Sequence, residues 1–205
     1  MHSITRTKCR YLIVVAQACS LISIYWLSTA QMPVQASDNK KALELIDRQL
    51  AKDPADETRL NSLKEELDRI IKKRPDAYAF VLRATVRFNL KDGPGAILDC
   101  NEAIKLDGKL ERAYALRGMN YCLMRQPENA LKDLTKAVEL KQDNSGAYLF
   151  KALAELQLAN SAAAIIDFTH VIELEKDTTV ALLATGMRGQ AYLAARQYDL
   201  AIADA

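Results

Sequence analysis

Glycine and proline are scarce in this chain, seven and five among 205 residues. Few helix breakers are therefore present, and Ala, Leu, Lys and Glu dominate instead, a balance that favours helices. Histidine is scarcer still. Beyond residue 36 only His170 remains, together with two cysteines, Cys100 and Cys122. No Cys-x-x-Cys, His-Glu-x-x-His, Gly-x-Ser-x-Gly or phosphate-binding glycine loop occurs. The sequence thus nominates no catalytic, cofactor-binding or metal-binding residue, and it reads as that of a non-enzyme. A surplus of one charge sign is lacking too. The formal net charge is +2, but Arg6, Lys8 and Arg10 precede a hydrophobic run, and without them 25 basic residues face 26 acidic ones. A near-neutral body of mixed sign gives no electrostatic basis for binding nucleic acid.

Half of the residues are apolar and about a quarter are charged, which excludes a disordered chain. The first 36 residues divide into a basic stretch (Arg6 to Arg10), an apolar run from Tyr11 to Leu27, and a polar stretch ending in Val34-Gln35-Ala36. That order is the layout of a secretory signal peptide. The apolar run is 17 residues, so retention as a membrane anchor is the first alternative. A lipid-anchored Cys19 and a core helix are two others, each poorly matched: Ala16-Gln17-Ala18 is a weak lipidation context, and the run has no polar face. The expected location of the remainder is periplasmic or secreted, or else membrane-anchored and facing away from the cytoplasm.

The body repeats itself. Ala84, Gly118 and Ala152 are 34 residues apart, and Gly189 follows after 37; Ala96, Ala130, Ala164 and Ala201 keep the same steps. Bulky residues hold register as well, with Phe80, Tyr114 and Tyr148 in one column and Cys100, Leu134 and Phe168 in another. Each unit reads as two helices of about three turns joined by turn residues such as Lys91-Asp92-Gly93-Pro94 or Arg125-Gln126-Pro127. Small residues let the two helices cross closely, and large ones fill the gap to the next unit. No single pair can bury its apolar face, so stacking is obligatory. The step of 37 predicts one extra turn in the first helix of the fourth unit.

These columns resemble the tetratricopeptide repeat in its common bacterial form, over residues 76–205. The resemblance implies an all-α fold: an αα-hairpin solenoid behind an N-terminal signal or anchor segment. Its units are 76–109, 110–143, 144–180 and an incomplete 181–205. Gly108, Gln142 and Lys176 depart from the family's closing proline, and Arg87 and Glu155 from an aromatic held at Tyr121 and Tyr192. Residues 37–75 read as degenerate N-terminal capping helices, with a helix folded into the groove as an autoinhibitor the alternative. Ala205 falls within the second helix of the fourth unit, so the chain reads as a fragment or as completed by a partner.

In the resembled family the first helices line a concave groove that holds a ligand. The positions implied here are Tyr78, Val81, Thr85 and Phe88; Arg112, Ala115, Met119 and Cys122; Gly146, Leu149, Leu153 and Leu156; and Gln190 and Leu193. Members that clamp a C-terminal carboxylate do so with Lys, Asn and Arg, whereas Val81, Thr85, Leu116, Gly146 and Phe150 stand at those places. An apolar helix or peptide segment of another protein is the better-suited ligand. The implied function is a protein-interaction scaffold or assembly factor outside the cytoplasm. A structural, self-associating module with its groove filled by its own N-terminal helices is the alternative.

Two further expectations concern pairs. Arg83, Arg117, Lys151 and Arg188 each precede a member of the first small column, and Asp99, Asp133, Asp167 and Asp204 each follow the second by three. Their fourfold recurrence predicts basic–Asp ties between helices, structural in role. Cys100 and Cys122 are open to two readings, buried free thiols or a disulfide.

Overall fold

The computed structural model describes residues 40–52, 56–176 and 178–204. The leader and its alternatives lie outside these residues. Among the described residues there are ten helices and no strand: α1 (Lys40–Lys52), α2 (Glu57–Lys73), α3 (Ala77–Asn89), α4 (Gly93–Leu106), α5 (Glu111–Leu123), α6 (Pro127–Leu140), α7 (Ser145–Gln157), α8 (Ser161–Leu174), α9 (Thr179–Ala194) and α10 (Tyr198–Ala203). None of them is long and apolar enough to cross a membrane.

Helix ends follow local chemistry. Asp76 caps α3 by accepting from the Tyr78 and Ala79 amides, Asp92 caps α4 through Gly95, Asn144 caps α7 through Ala147, and Thr178 caps α9 through Ala181. Gly93 and Pro127 belong to the first turns of α4 and α6 rather than to the turns before them. Proline is tolerated there because the first amides of a helix have no intrahelical acceptor. Each first helix closes in the same way. Lys91, Arg125, Ala159 and Arg196 take positive φ of 60–62°, and the next residue's amide returns to a carbonyl five residues back, as from Asp92 to Arg87 at 2.8 Å and from Gln126 to Tyr121 at 2.9 Å.

Antiparallel pairs α3/α4, α5/α6, α7/α8 and α9/α10 stack in sequence, and each first helix also touches the first helix before it through α7. The first helices α3, α5 and α7 have 13 residues each, and α9 has 16, which supplies the extra turn that the 37-residue step demands. The main core runs through α5 to α9, where Leu134, Leu149, Phe150, Leu153 and Phe168 are buried among small residues. A second cluster joins Leu43, Ile46 and Leu50 of α1 to Leu60, Leu63 and Leu67 of α2 and to Ala79, Leu82 and Val86 of α3. The N-terminal helices therefore share one apolar core with α3, the first helix of the first repeated pair.

The small columns sit where helices cross. A Cβ on Gly118 would lie 2.7 Å from Leu134 Cγ and 3.2 Å from the Ala130 carbonyl oxygen, closer than real side chains pack. Cys100 is buried beside Ala84, Ala96 and Leu116, and Cys122 in the main core; no disulfide joins the two, so the bridged alternative is not realised. Burial, the largest influence, raises the Cys100 thiol well above its ordinary range, since a thiolate there would be desolvated, and the Asp99 and Asp133 charges add to it against Arg117.

Candidate functional site

The recurring charges meet as expected. Arg83 donates from Nε and Nη2 to the Asp99 carboxylate at 3.0 and 2.6 Å, Arg117 to Asp133 at 2.6 and 2.7 Å, and Arg188 to Asp204 at 2.7 Å twice. Lys151 reaches Asp167 with one bond of 2.7 Å. Asp99, Asp133 and Asp167 are buried, so these are desolvated hydrogen-bonded pairs rather than surface contacts, and losing one partner would strand the other. The arginines also reach backward. The remaining Nη1 of Arg83 donates to Asp68 on α2 at 2.6 Å, that of Arg117 to Asn101 on α4 at 2.6 Å, and that of Arg188 to Thr169 on α8 at 3.0 Å. Each guanidinium thus ties its own hairpin and staples it to the preceding second helix. Lysine, with one point of charge, makes only the first tie.

A third polar cluster lies on the first-helix side. Tyr78 donates its hydroxyl proton to Asp47 of α1 at 2.6 Å, and Arg112 donates to the Tyr78 oxygen at 3.1 Å and to Asp47 at 3.3 Å. Arg112 is 1% exposed. Burial by itself would favour loss of its charge, but Asp47 and Tyr78 hold it protonated. The Tyr78 hydroxyl is pushed well above the usual phenol range, first by burial.

The expected groove residues divide into two sets. Val81, Arg112, Met119, Leu149 and Leu153 are buried, as are Ala115, Cys122 and Gly146. Val81 packs with Phe80, Ala103 and Ala113, while Met119, Leu149 and Leu153 belong to the core through α5 to α9. They are corrected here from ligand-facing positions to core positions, because consecutive first helices touch and consume the apolar side chains between them. Tyr78 is half-buried and committed to Asp47 and Arg112. Thr85, Phe88 and Leu156 are half-buried, and Gln190 and Leu193 are exposed. What stays accessible is thus the end of the first-helix face nearest the intra-hairpin turns. Leu123 and Met124, exposed at the end of α5, were absent from the expected positions; the signal for them was the Leu-Met ending of that helix.

His170 is half-exposed on α8, its ring 4.3 Å from that of Tyr148 and its Nδ1 3.9 Å from Glu173. No group of three or more His, Cys, Asp or Glu side chains is placed to hold a metal ion among the described residues.

Stacked antiparallel helix pairs with small residues at their crossings define an αα-hairpin solenoid. A sequence profile of the tetratricopeptide repeat matches residues 111–144, which comprise α5, α6 and the turn after them. Among solved structures, the chain resembles MamA from Desulfovibrio magneticus RS-1 (TM-score 0.68, 16% identity, 83% of this chain and 93% of that one). It also resembles TTC0263, a TPR protein of Thermus thermophilus (TM-score 0.63, 17% identity, 81% and 87%). The first TPR domain of Spaghetti (RPAP3), solved bound to the HSP90 peptide SRMEEVD, matches a shorter part (TM-score 0.55, 21% identity, 58% and 93%). No curated protein matches the chain in sequence. Residues 111–144 thus match a tetratricopeptide repeat, and the described chain has the fold of the tetratricopeptide-repeat solenoids.

Proposed function

We propose that this protein is a non-catalytic adaptor working outside the cytoplasm, and that it holds an apolar segment of another protein along the first-helix face of its solenoid. The observation that carries this reading is the accessible part of that face: Thr85, Phe88, Leu156, Gln190 and Leu193 are neutral or apolar and half-buried or exposed. Single exposed apolar residues are ordinary on a protein surface, but apolar residues recurring at equivalent ends of α3, α7 and α9 favour a partner site. No cation stands among the five, which disfavours a ligand held by its C-terminal carboxylate, in contrast with a charged clamp. The extracytoplasmic location is supported by the basic-then-apolar leader of residues 1–36.

A second reading has an observation of its own. Asp47 of α1 occupies the Tyr78–Arg112 end of the first-helix side, as it would if the chain's own N-terminal helices filled part of the groove. The two readings part in one experiment. A photo-crosslinking residue is placed at Thr85 or Gln190 in the full chain, in the envelope fraction of its own cells. Crosslinks to a different polypeptide support the adaptor; crosslinks confined to the chain itself, or to a second copy, support the self-filled module. Substitutions at Leu149 or Leu153 are unsuitable for this purpose, since both are core residues whose loss costs about 2–5 kcal/mol of stability.

A further inference from the structure

The α1 helix is held differently from the helices of the repeated pairs. The two helices of each pair pack along each other and are tied by the basic–Asp ladder. By contrast, α1 packs chiefly against α3, and it meets α2 through the Arg59 guanidinium, which donates to the Gln49 carbonyl. The Asp68 carboxylate of α2 is meanwhile taken by Arg83 of α3 at 2.6 Å. Helix α2 therefore belongs to the ladder of the stack, whereas α1 stands outside it.

What holds α1 is an apolar stripe and one charge. Leu43, Ile46 and Leu50 are at most 1% exposed, whereas Leu45, off the stripe, is 55% exposed. The stripe lies in one cluster with Ala79, Leu82 and Val86 of α3. Next to Ile46, Asp47 accepts from the Tyr78 hydroxyl at 2.6 Å and from Arg112 Nη2 at 3.3 Å. Tyr78 and Arg112 hold equivalent places, 34 residues apart, on the successive first helices α3 and α5. One carboxylate of α1 thus bridges two units of the solenoid on its first-helix side. A buried ion pair adds little net stability, because desolvation offsets its attraction, but it rejects an occupant that lacks the charge. Such an arrangement reads the register and charge of a helix, as a recognition site does.

We infer that α1 is an internal stand-in for the partner: the site formed by α3 and Arg112 takes an amphipathic helix with apolar residues at i, i+3 and i+7 and a carboxylate at i+4, and a partner helix of that pattern replaces α1. The inference rests on the adaptor reading above and names the partner's chemistry. Replacement, rather than simple release, follows from burial. Departure of α1 alone would open Leu82 and Val86 to water and take Asp47 from a guanidinium that is 1% exposed. The open site therefore persists only with another such helix in it. Helix α2 stays in place meanwhile, held by Asp68 to Arg83.

The test uses the full chain and a fluorescent peptide with the sequence of residues 40–52. Hydrogen exchange of the unaltered chain comes first: α1 amides should exchange well before those of α5 to α7, and excess peptide should raise the exchange of α1 alone. In the full chain carrying Leu43→Ser/Leu50→Ser, which weakens its own α1, the peptide should bind about tenfold tighter than to wild type. A peptide carrying Asp47→Asn should bind about tenfold more weakly, and Arg112→Met in the chain should erase that difference. The inference is overturned by α1 amides that exchange only with the core, by equal binding to wild type and the double variant, or by an Asp preference that is absent or survives Arg112→Met. Crosslinks from α1 of an isotopically labelled copy to α3 of an unlabelled one would assign the site to a second copy and overturn it likewise. A different polypeptide captured at Thr85 or Gln190, beside an α1 that never opens, would leave the adaptor reading standing and remove this inference alone.

Discussion

Gly118 and Gly189 occupy the same column of the repeat, yet adding one methyl group to each should shift stability in opposite directions. At Gly118 the new Cβ would meet Leu134 Cγ at 2.7 Å and the Ala130 carbonyl at 3.2 Å. Neither is the free end of a flexible side chain, so α5 and α6 must move apart. Overpacking of this kind costs about 1–3 kcal/mol, against a gain of about 1 kcal/mol in helix propensity on replacing glycine with alanine. Gly118→Ala should therefore destabilise by up to about 2 kcal/mol, a fall of a few degrees in Tm. At Gly189 the nearest atoms are Asp204 Cβ at 3.4 Å and the Ala201 carbonyl at 3.7 Å, ordinary contact distances. Gly189→Ala should keep most of the propensity gain and raise Tm. Thermal unfolding followed at the helical circular-dichroism band measures both. In a Leu134→Ala background the penalty at Gly118 should shrink, because the clashing branch point is gone. A rise in Tm for Gly118→Ala, or a fall for both variants, would refute the packing argument.

Lys151→Arg should stabilise by up to about 1 kcal/mol, because a guanidinium can hold Asp167 with two bonds and still reach back to the preceding helix; an unchanged or lower Tm counts against the stapling role of the ladder. Ala159→Gly should stabilise by about 0.5 kcal/mol in chemical denaturation, since Ala159 holds φ at 60° where an L-residue is strained; a loss of stability would show that its methyl contributes packing instead. Asp167 gives a pH signature. Burial, the largest influence, raises its carboxyl above the ordinary 3.8 despite the Lys151 bond. The folded state therefore binds the proton more tightly, and this group adds stability as pH falls through the window just above 3.8. The difference in Tm between wild type and Asp167→Asn should accordingly move in favour of wild type on going from neutral pH to that window, and a shift the other way would contradict the assigned cause.

The repeat period, the pairing of helices and the basic–Asp ladder were legible in the sequence, because each depends on local periodicity and on relations that recur at a fixed step. Columns 34 residues apart identify Gly118 with Ala84 and Ala152 as crossing points, and the 37-residue step implies the longer α9. Three things needed the tertiary structure. Sequence spacing places Leu149 and Leu156 on one face of α7, but it does not say how much of that face the neighbouring first helices consume; burial is a property of the stack, and Leu149 went to the core while Leu156 stayed partly open. In the Asp47–Tyr78–Arg112 cluster Tyr78 and Arg112 are one 34-residue period apart, but Asp47 joins them from 31 and 65 positions away, off the period. The second reach of each arginine, from Arg117 to Asn101 for example, depends on how one hairpin sits on the one before it. Periodicity therefore determined which residues are equivalent, and packing between hairpins decided which of those equivalents remain free to meet a partner.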